Sequence, residues 1–177
     1  MTTHLLDLQA PVSAIDHIRG DSKARVTIVE YGDFECPMCQ AAEPGLRLIL
    51  ANHASDIRLI YRHFPLEDAH PHALMAAEAA EAAAAQGQFW EMHDRLLQPG
   101  SRLDRASLAH HAQILGLDMA LFEGSLNDEI YRQRVREQKD GALRSHLRAT
   151  PGFFVNRRVC DVSGGIHLLA ERVKAVS

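Results

Sequence analysis

Apolar residues recur along this chain with two periods, one of strands and one of helices. The run RVTIVEY, Arg25 to Tyr31, is β-branched and aromatic, and it predicts a strand. Val26, Ile28, Val29 and Tyr31 make it nearly continuously apolar, as expected of a buried central strand rather than an edge. A helical pattern follows to about Asn52, with Leu46, Ile49 and Leu50 on one face. Pro44 lies inside it, removes one backbone donor and predicts a kink. IRLIYRHF, Ile57 to Phe64, predicts a second strand closed by Pro65.

The period then becomes helical. Residues 71–86 are dominated by alanine, the best helix former, up to Gly87. Phe89 to Gln98 predicts a short amphipathic helix with Phe89, Met92 and Leu96 on one side, ended by Pro99-Gly100. These aromatics read as core of the helical block. Ser101 or Asp104 is placed to cap a third helix that runs to Leu115. Residues 117–126 predict a short helical turn, and Asn127 to Leu147 a longer charged helix. Strands return at Phe153 to Asn156 and Arg158 to Val162, and Ile166 to Val176 predicts a last helix. Residues 1–24 read as an irregular lead-in broken by Pro11 and Gly20. Strands at both ends of a helical block predict one α/β sheet with an insertion. The expected boundaries are a lead-in at 1–24, the sheet domain at 25–65 and 149–177, and the insertion at 66–148.

The chain has 177 residues, 46% hydrophobic and 24% charged, enough for an ordered core without staples. A net charge of −4 offers no basic surplus for nucleic acid or an anionic membrane. The most apolar long stretch, Ala73 to Ala85, carries Glu78 and Glu81 and is too short to span a bilayer, so no membrane insertion is expected. Residues 1–20 have no basic start, and Asp7, Asp16, His17 and Arg19 interrupt their apolar residues. The expected compartment is therefore the cytoplasm, or the periplasm only if a leader has been removed. Three cysteines are too few for a disulfide scaffold.

Two of those cysteines carry the sharpest chemical signal. Cys36-Pro37-Met38-Cys39 follows a strand and opens a helix. At a helix start a thiolate meets unpaired N–H groups and the positive end of the dipole, both of which lower its pKa. The thiolate is the nucleophile of disulfide exchange, so Cys36 becomes reactive near neutral pH. Cys39, one turn on, is within reach to resolve a mixed disulfide on Cys36. Pro37 suits the first helical turn, where its missing N–H costs nothing.

VEYGDFECPMC, RHFPL, HPHA, QFWEMHDRL and ATPGFFVN, in this order, resemble the DsbA-like branch of the thioredoxin superfamily over roughly residues 12–175. The resemblance implies a thioredoxin fold with a helical insertion and a protein disulfide oxidoreductase. It implies Cys36 as the exposed attacking cysteine and Cys39 as the buried resolving one. Thr150-Pro151 matches the family's cis-proline loop, whose backbone pairs with an extended substrate beside the cysteines. Glu30, six residues before Cys36, matches an acidic residue held beneath the site as a proton acceptor; burial there should raise its pKa. The implied partners are thiol- or disulfide-containing proteins or peptides and a redox partner, with no cofactor.

Three features depart from the family pattern. Met38 stands where strongly oxidising members have histidine, and it supplies neither charge nor N–H donor. The Cys36 pKa is therefore expected between about 5 and 7, and the potential between about −150 and −250 mV. Arg157 follows Asn156 where relatives have glycine, so another type of hairpin turn is expected. Cys160 is an extra cysteine, read as a half-buried strand thiol.

Two other classes of function remain open on the sequence: a metal-binding module using Cys36, Cys39 and histidines, and a non-catalytic protein-interaction module. No second Cys-x-x-Cys completes a zinc site, and none of the 11 histidines has HExxH spacing, so no metal is expected. His70, His72, His93, His110 and His111 read as caps, surface residues and insertion contacts. Phe34 is expected as an apolar rim of the site.

Overall fold

A computed structural model describes residues 7–177; the first six residues of the expected lead-in lie outside them. The described elements are β1 (His17–Gly20), β2 (Val26–Gly32), α1 (Pro37–Asn52), β3 (Ile57–His63), α2 (Ala73–Ala84), α3 (Phe89–Leu96), α4 (Arg105–Ile114), α5 (Met119–Asn127), α6 (Arg132–Arg144), β4 (Gly152–Val155), β5 (Arg158–Cys160) and α7 (His167–Lys174). The five strands form one sheet in the order β1-β3-β2-β4-β5. β2 and β3 are parallel, joined by the α1 crossover, and the other pairs are antiparallel. This is the mixed α/β architecture of a thioredoxin fold with helical insertions.

The apolar run of β2 is explained by its central place, with a neighbour on each side and both faces covered. Val26 and Ile28 pack with Leu46 and Ile49 of α1 and Leu169 and Val173 of α7. Val29 and Tyr31 point the other way, to Ile60, Phe154 and Ala142 of α6. The two-residue period of the strand therefore sends Glu30 to the α1 face, beneath the cysteines. Between β3 and β4 lie five helices, gathered on the alanine face of α2. Its small side chains let the neighbouring helices approach closely, and Phe89, Met92, Leu96 and Phe122 fill the space around it.

The expected irregular lead-in is corrected. His17–Gly20 is an edge strand, antiparallel to β3. Four residues, HIRG, carry too little alternation to announce a strand; the open edge of β3 organises them. Arg62 of β3 fastens the segment: its Nε and Nη2 each donate to the Asp16 carboxylate at 2.8 Å, and its remaining N–H groups reach Ala10 O, Pro11 O and the Tyr31 hydroxyl.

Other local expectations also change. α1 runs without a break through Pro44. The charged helix starts at Arg132 rather than Asn127, because Glu129 adopts a left-handed φ of 52°. The short turn at 117–126 is a nine-residue helix, since the Asp118 carboxylate accepts from the N–H groups of Ala120 and Leu121. Asp104 caps α4 through Ser107 N. Asn156 and Arg157 both have positive φ, 47° and 72°, so the hairpin keeps left-handed geometry despite its arginine. Long-range bonds offset the cost: Asn156 exchanges two hydrogen bonds of 2.9 Å with the Thr27 backbone, and Arg157 O accepts from Leu8 N at 2.8 Å.

Candidate active site

Cys36 is the N-cap residue of α1, with extended backbone angles and Pro37 next to it in the first turn. Its sulfur lies 3.4 Å from the Thr150 carbonyl oxygen. Cys39 lies one turn on, in the same buried cluster, and its sulfur accepts from the Asp33 N–H at 3.5 Å. Both cysteines are free thiols. The expected exposed thiol is narrower in access than the resemblance implies: Cys36 is 5% exposed, against 1% for Cys39.

The two sulfurs are electrostatically opposite. A hydrogen bond from the Cys39 thiol, opposed by burial and helped by the N–H groups of Cys39 and Met38, lowers Cys36 to about 5. That is the low end of the expected interval, reached without a histidine in the dipeptide. Burial, the bond given to Cys36 and the nearby Glu30 carboxyl raise Cys39 well above an ordinary thiol. Cys36 is thus a thiolate at neutral pH, while Cys39 keeps its proton until something takes it. Glu30, 1% exposed, lies beneath the pair; burial and the charge of Glu43 raise its carboxyl well above the usual range.

The loop before Cys36 is held by a carboxylate that spacing did not single out. Asp33 accepts from Glu35 N at 2.8 Å, Leu66 N at 2.9 Å and His70 Nδ1 at 2.8 Å. Burial alone would lower His70; the Asp33 carboxylate outweighs it and raises the imidazole. Glu35 accepts from the N–H and the Nδ1 of His72. The HPHA segment thus clamps the Cys loop from the insertion side. Phe34 is not a rim residue: it is 1% exposed and stacks on Tyr61 at 5.3 Å, forming the floor. Tyr61 lies directly over Gly32, where a Cβ would meet its ring at 2.5 Å.

The Thr150-Pro151 bond is cis, and Thr150 faces Cys36. Beyond it opens a groove of about 570 Å³, lined by Met38, Ala42, Thr150, Pro151, Val162 and Ile166. Met38 is 61% exposed on its wall. An extended chain laid there would pass the Thr150 backbone and bring a sulfur to Cys36. Cys160 closes β5 on the far wall, 8% exposed and raised by burial, its sulfur 4.0 Å from Leu168 O.

Glu43, His93 and Asp94 each present a ligand atom within 4.8 Å of the others. Their carboxylates are already held by cations: Glu43 by Arg47, and Asp94 by Arg19 and Arg47. These guanidiniums supply the positive charge that a metal ion would bring. Sequence reasoning passed over Glu43, although a residue four after Cys39 shares its helix face.

The family model for thioredoxin matches residues 13–174. A Na(+)/H(+) antiporter NhaA 1 from Salinispora arenicola is 48% identical over 170 residues, covering 96% of this chain and 26% of that protein. The chain thus spans about a quarter of the length of the curated relatives it matches. Among solved structures, a thioredoxin-like oxidoreductase from Silicibacter pomeroyi superposes with a TM-score of 0.82 at 22% identity, over 92% of each chain. DsbA2 from Pseudomonas aeruginosa gives 0.72 at 26% identity, over 94% of this chain and 97% of its own.

Proposed function

We propose, from the premise that this chain belongs to the thioredoxin family, that it is a thiol–disulfide oxidoreductase acting on proteins or peptides. One observation carries the reading: a low-pKa thiol at a helix start faces the Thr150 backbone on one side and a proton-holding partner thiol on the other. In the reducing direction the Cys36 thiolate attacks a substrate disulfide and releases one substrate thiolate. Cys39 then loses its proton and attacks Cys36. The Cys36–Cys39 bond forms, and the second substrate sulfur leaves with the electron pair of the broken bond. In the oxidising direction the steps reverse. Glu30 is the proton acceptor and donor for Cys39, and Thr150-Pro151 with the groove holds the substrate chain. The similar stretch in the Salinispora antiporter supports a membrane transporter as one such protein partner.

The test is a Cys39→Ser variant incubated with disulfide substrate. Mixed disulfides should accumulate on Cys36, and mass spectrometry of the captured chain identifies the partner. Capture that needs Cys39 instead, or none at all with an active wild-type control, overturns the assignment.

A further inference from the structure

Among the buried polar atoms with no hydrogen-bond partner among the described residues are Glu30 Oε2, Tyr61 OH, Glu43 Oε2 and His93 Nε2. An orphaned buried polar atom costs about 1–3 kcal/mol, so four in one place ask for a reason beyond packing. They come from four elements, β2, β3, α1 and α3, and form a string. Glu30 and Tyr61 are register partners on adjacent strands. The Tyr61 ring meets His93 edge-on at 4.6 Å. Glu43 and His93 lie within 4.8 Å, a gap that a small rotation or one bridging water closes.

The far side of His93 leads outward. Its Nδ1 lies 2.9 Å from Asp94 Oδ1, and a carboxylate only accepts, so the ring proton sits on Nδ1. The buried Nε2 is therefore the lone-pair nitrogen, and it has no partner among the described residues. The His93 side chain is fully enclosed, whereas that of Asp94 is 29% exposed. The charged and titratable groups around His93 are Glu43 and Arg47 from α1, Arg19 from β1, Tyr61 from β3 and Asp94 on α3 itself. His63 of β3 is engaged elsewhere, with Glu81.

We propose that His93, backed by Asp94, is the outlet for the proton that Cys39 gives up, reached through Glu30 and Glu43. The inference rests on the thiol-exchange reading and extends it. Burial holds a proton on the Glu30 carboxyl, so Glu30 accepts from Cys39 only after passing its own proton on. That proton moves to Glu43 and then to His93 Nε2. Burial disfavours a standing imidazolium, so as Nε2 takes the proton the Nδ1 proton leaves past the Asp94 carboxylate to water. Meanwhile the Cys39 sulfur pair forms the bond to Cys36, and the substrate thiolate leaves with the electrons of the broken disulfide. The substrate disulfide is the oxidant, and no other is needed. His93 does not touch the reacting sulfurs; it is a positioning residue for the proton.

Reaction of the reduced full chain with Ellman's reagent separates the steps. Attack by Cys36 releases one thionitrobenzoate, and resolution by Cys39 releases the second. In His93→Gln and His93→Phe the first release should keep its wild-type rate. The second should slow by about 10- to 100-fold, with an altered pH profile. Asp94→Asn, at a part-exposed position, should slow the second release alone and serves if the His93 variants fold poorly. A wild-type rate and pH profile for the second release in these variants overturns the inference, as does equal slowing of both releases. If the wild-type protein itself gives no second release, the exchange reading fails instead.

Discussion

Met38 is exposed between the two cysteines, where strongly oxidising relatives carry histidine, yet the Cys36 thiolate is already favoured down to about pH 5. The donors responsible are the Cys39 thiol and two helix N–H groups. Met38→His adds a further donor and partial charge at the same helix start. The substitution should lower the Cys36 pKa and make the couple more oxidising. One pKa unit is about 1.36 kcal/mol, which for two electrons is about 30 mV. Titration of thiolate absorbance and equilibration with a glutathione buffer check both quantities. An unchanged titration would show that Cys39 and the helix N–H groups alone set the thiolate. At this scale the strand-then-helix context singled out Cys36 and Cys39, and the family resemblance singled out Glu30. Asp33, Glu43 and His93 escaped both, because their partners lie on segments distant in the chain.

Elements were legible where period and caps agree. β2, α1 and β3 follow from their apolar patterns, and α4 starts after the capping Asp104. β1 escaped because an edge strand of four residues gains its form from its neighbour. The Asp16–Arg62 pair makes that dependence testable. Burial alone would raise Asp16, but Arg62 holds its carboxyl below the ordinary value. Both side chains are nearly enclosed, at 4% and 5% exposure. Removing one partner of a buried pair costs about 3–5 kcal/mol. Asp16→Ala should fall toward the lower figure, since Arg62 keeps three other acceptors. Urea unfolding measures the loss, and amide exchange should show β1 opening before the central strands. A loss below about 1 kcal/mol, the range of exposed pairs, would mean that Asp16 does not anchor the lead-in.

For the whole molecule, the cysteines link redox state, proton uptake and stability. The Cys36 pKa is depressed in the folded reduced protein, from 9.0 to about 5. Its contribution is fully present above the unfolded value and is lost as pH falls through about 5. The disulfide form has no such group. The melting temperature of the reduced protein, relative to the oxidised, should therefore rise from pH 5 to pH 8. The raised Cys39 opposes this only at still higher pH. The potential should follow: reduction takes up two protons below the Cys36 pKa and one above it. The slope should change near pH 5 from about 59 to about 30 mV per pH unit. A slope constant from pH 4 to 8 would place the thiolate pKa outside that window.

The sequence by itself determined the thioredoxin-type order of strands and helices, the helical character of the insertion and the cysteine pair at a helix start. Those features depend on short-range physics: apolar periods, alanine's helix preference, and a thiol at the start of a helix. Only the tertiary structure decided how enclosed Cys36 is, how Asp33 and His70 fasten its loop, and that Glu43, His93 and Asp94 come together. It also decided that Arg157 takes a left-handed turn and that His17–Gly20 becomes a strand. Each of these depends on groups brought together from distant parts of the chain, and burial there sets both the pKa values and the partners.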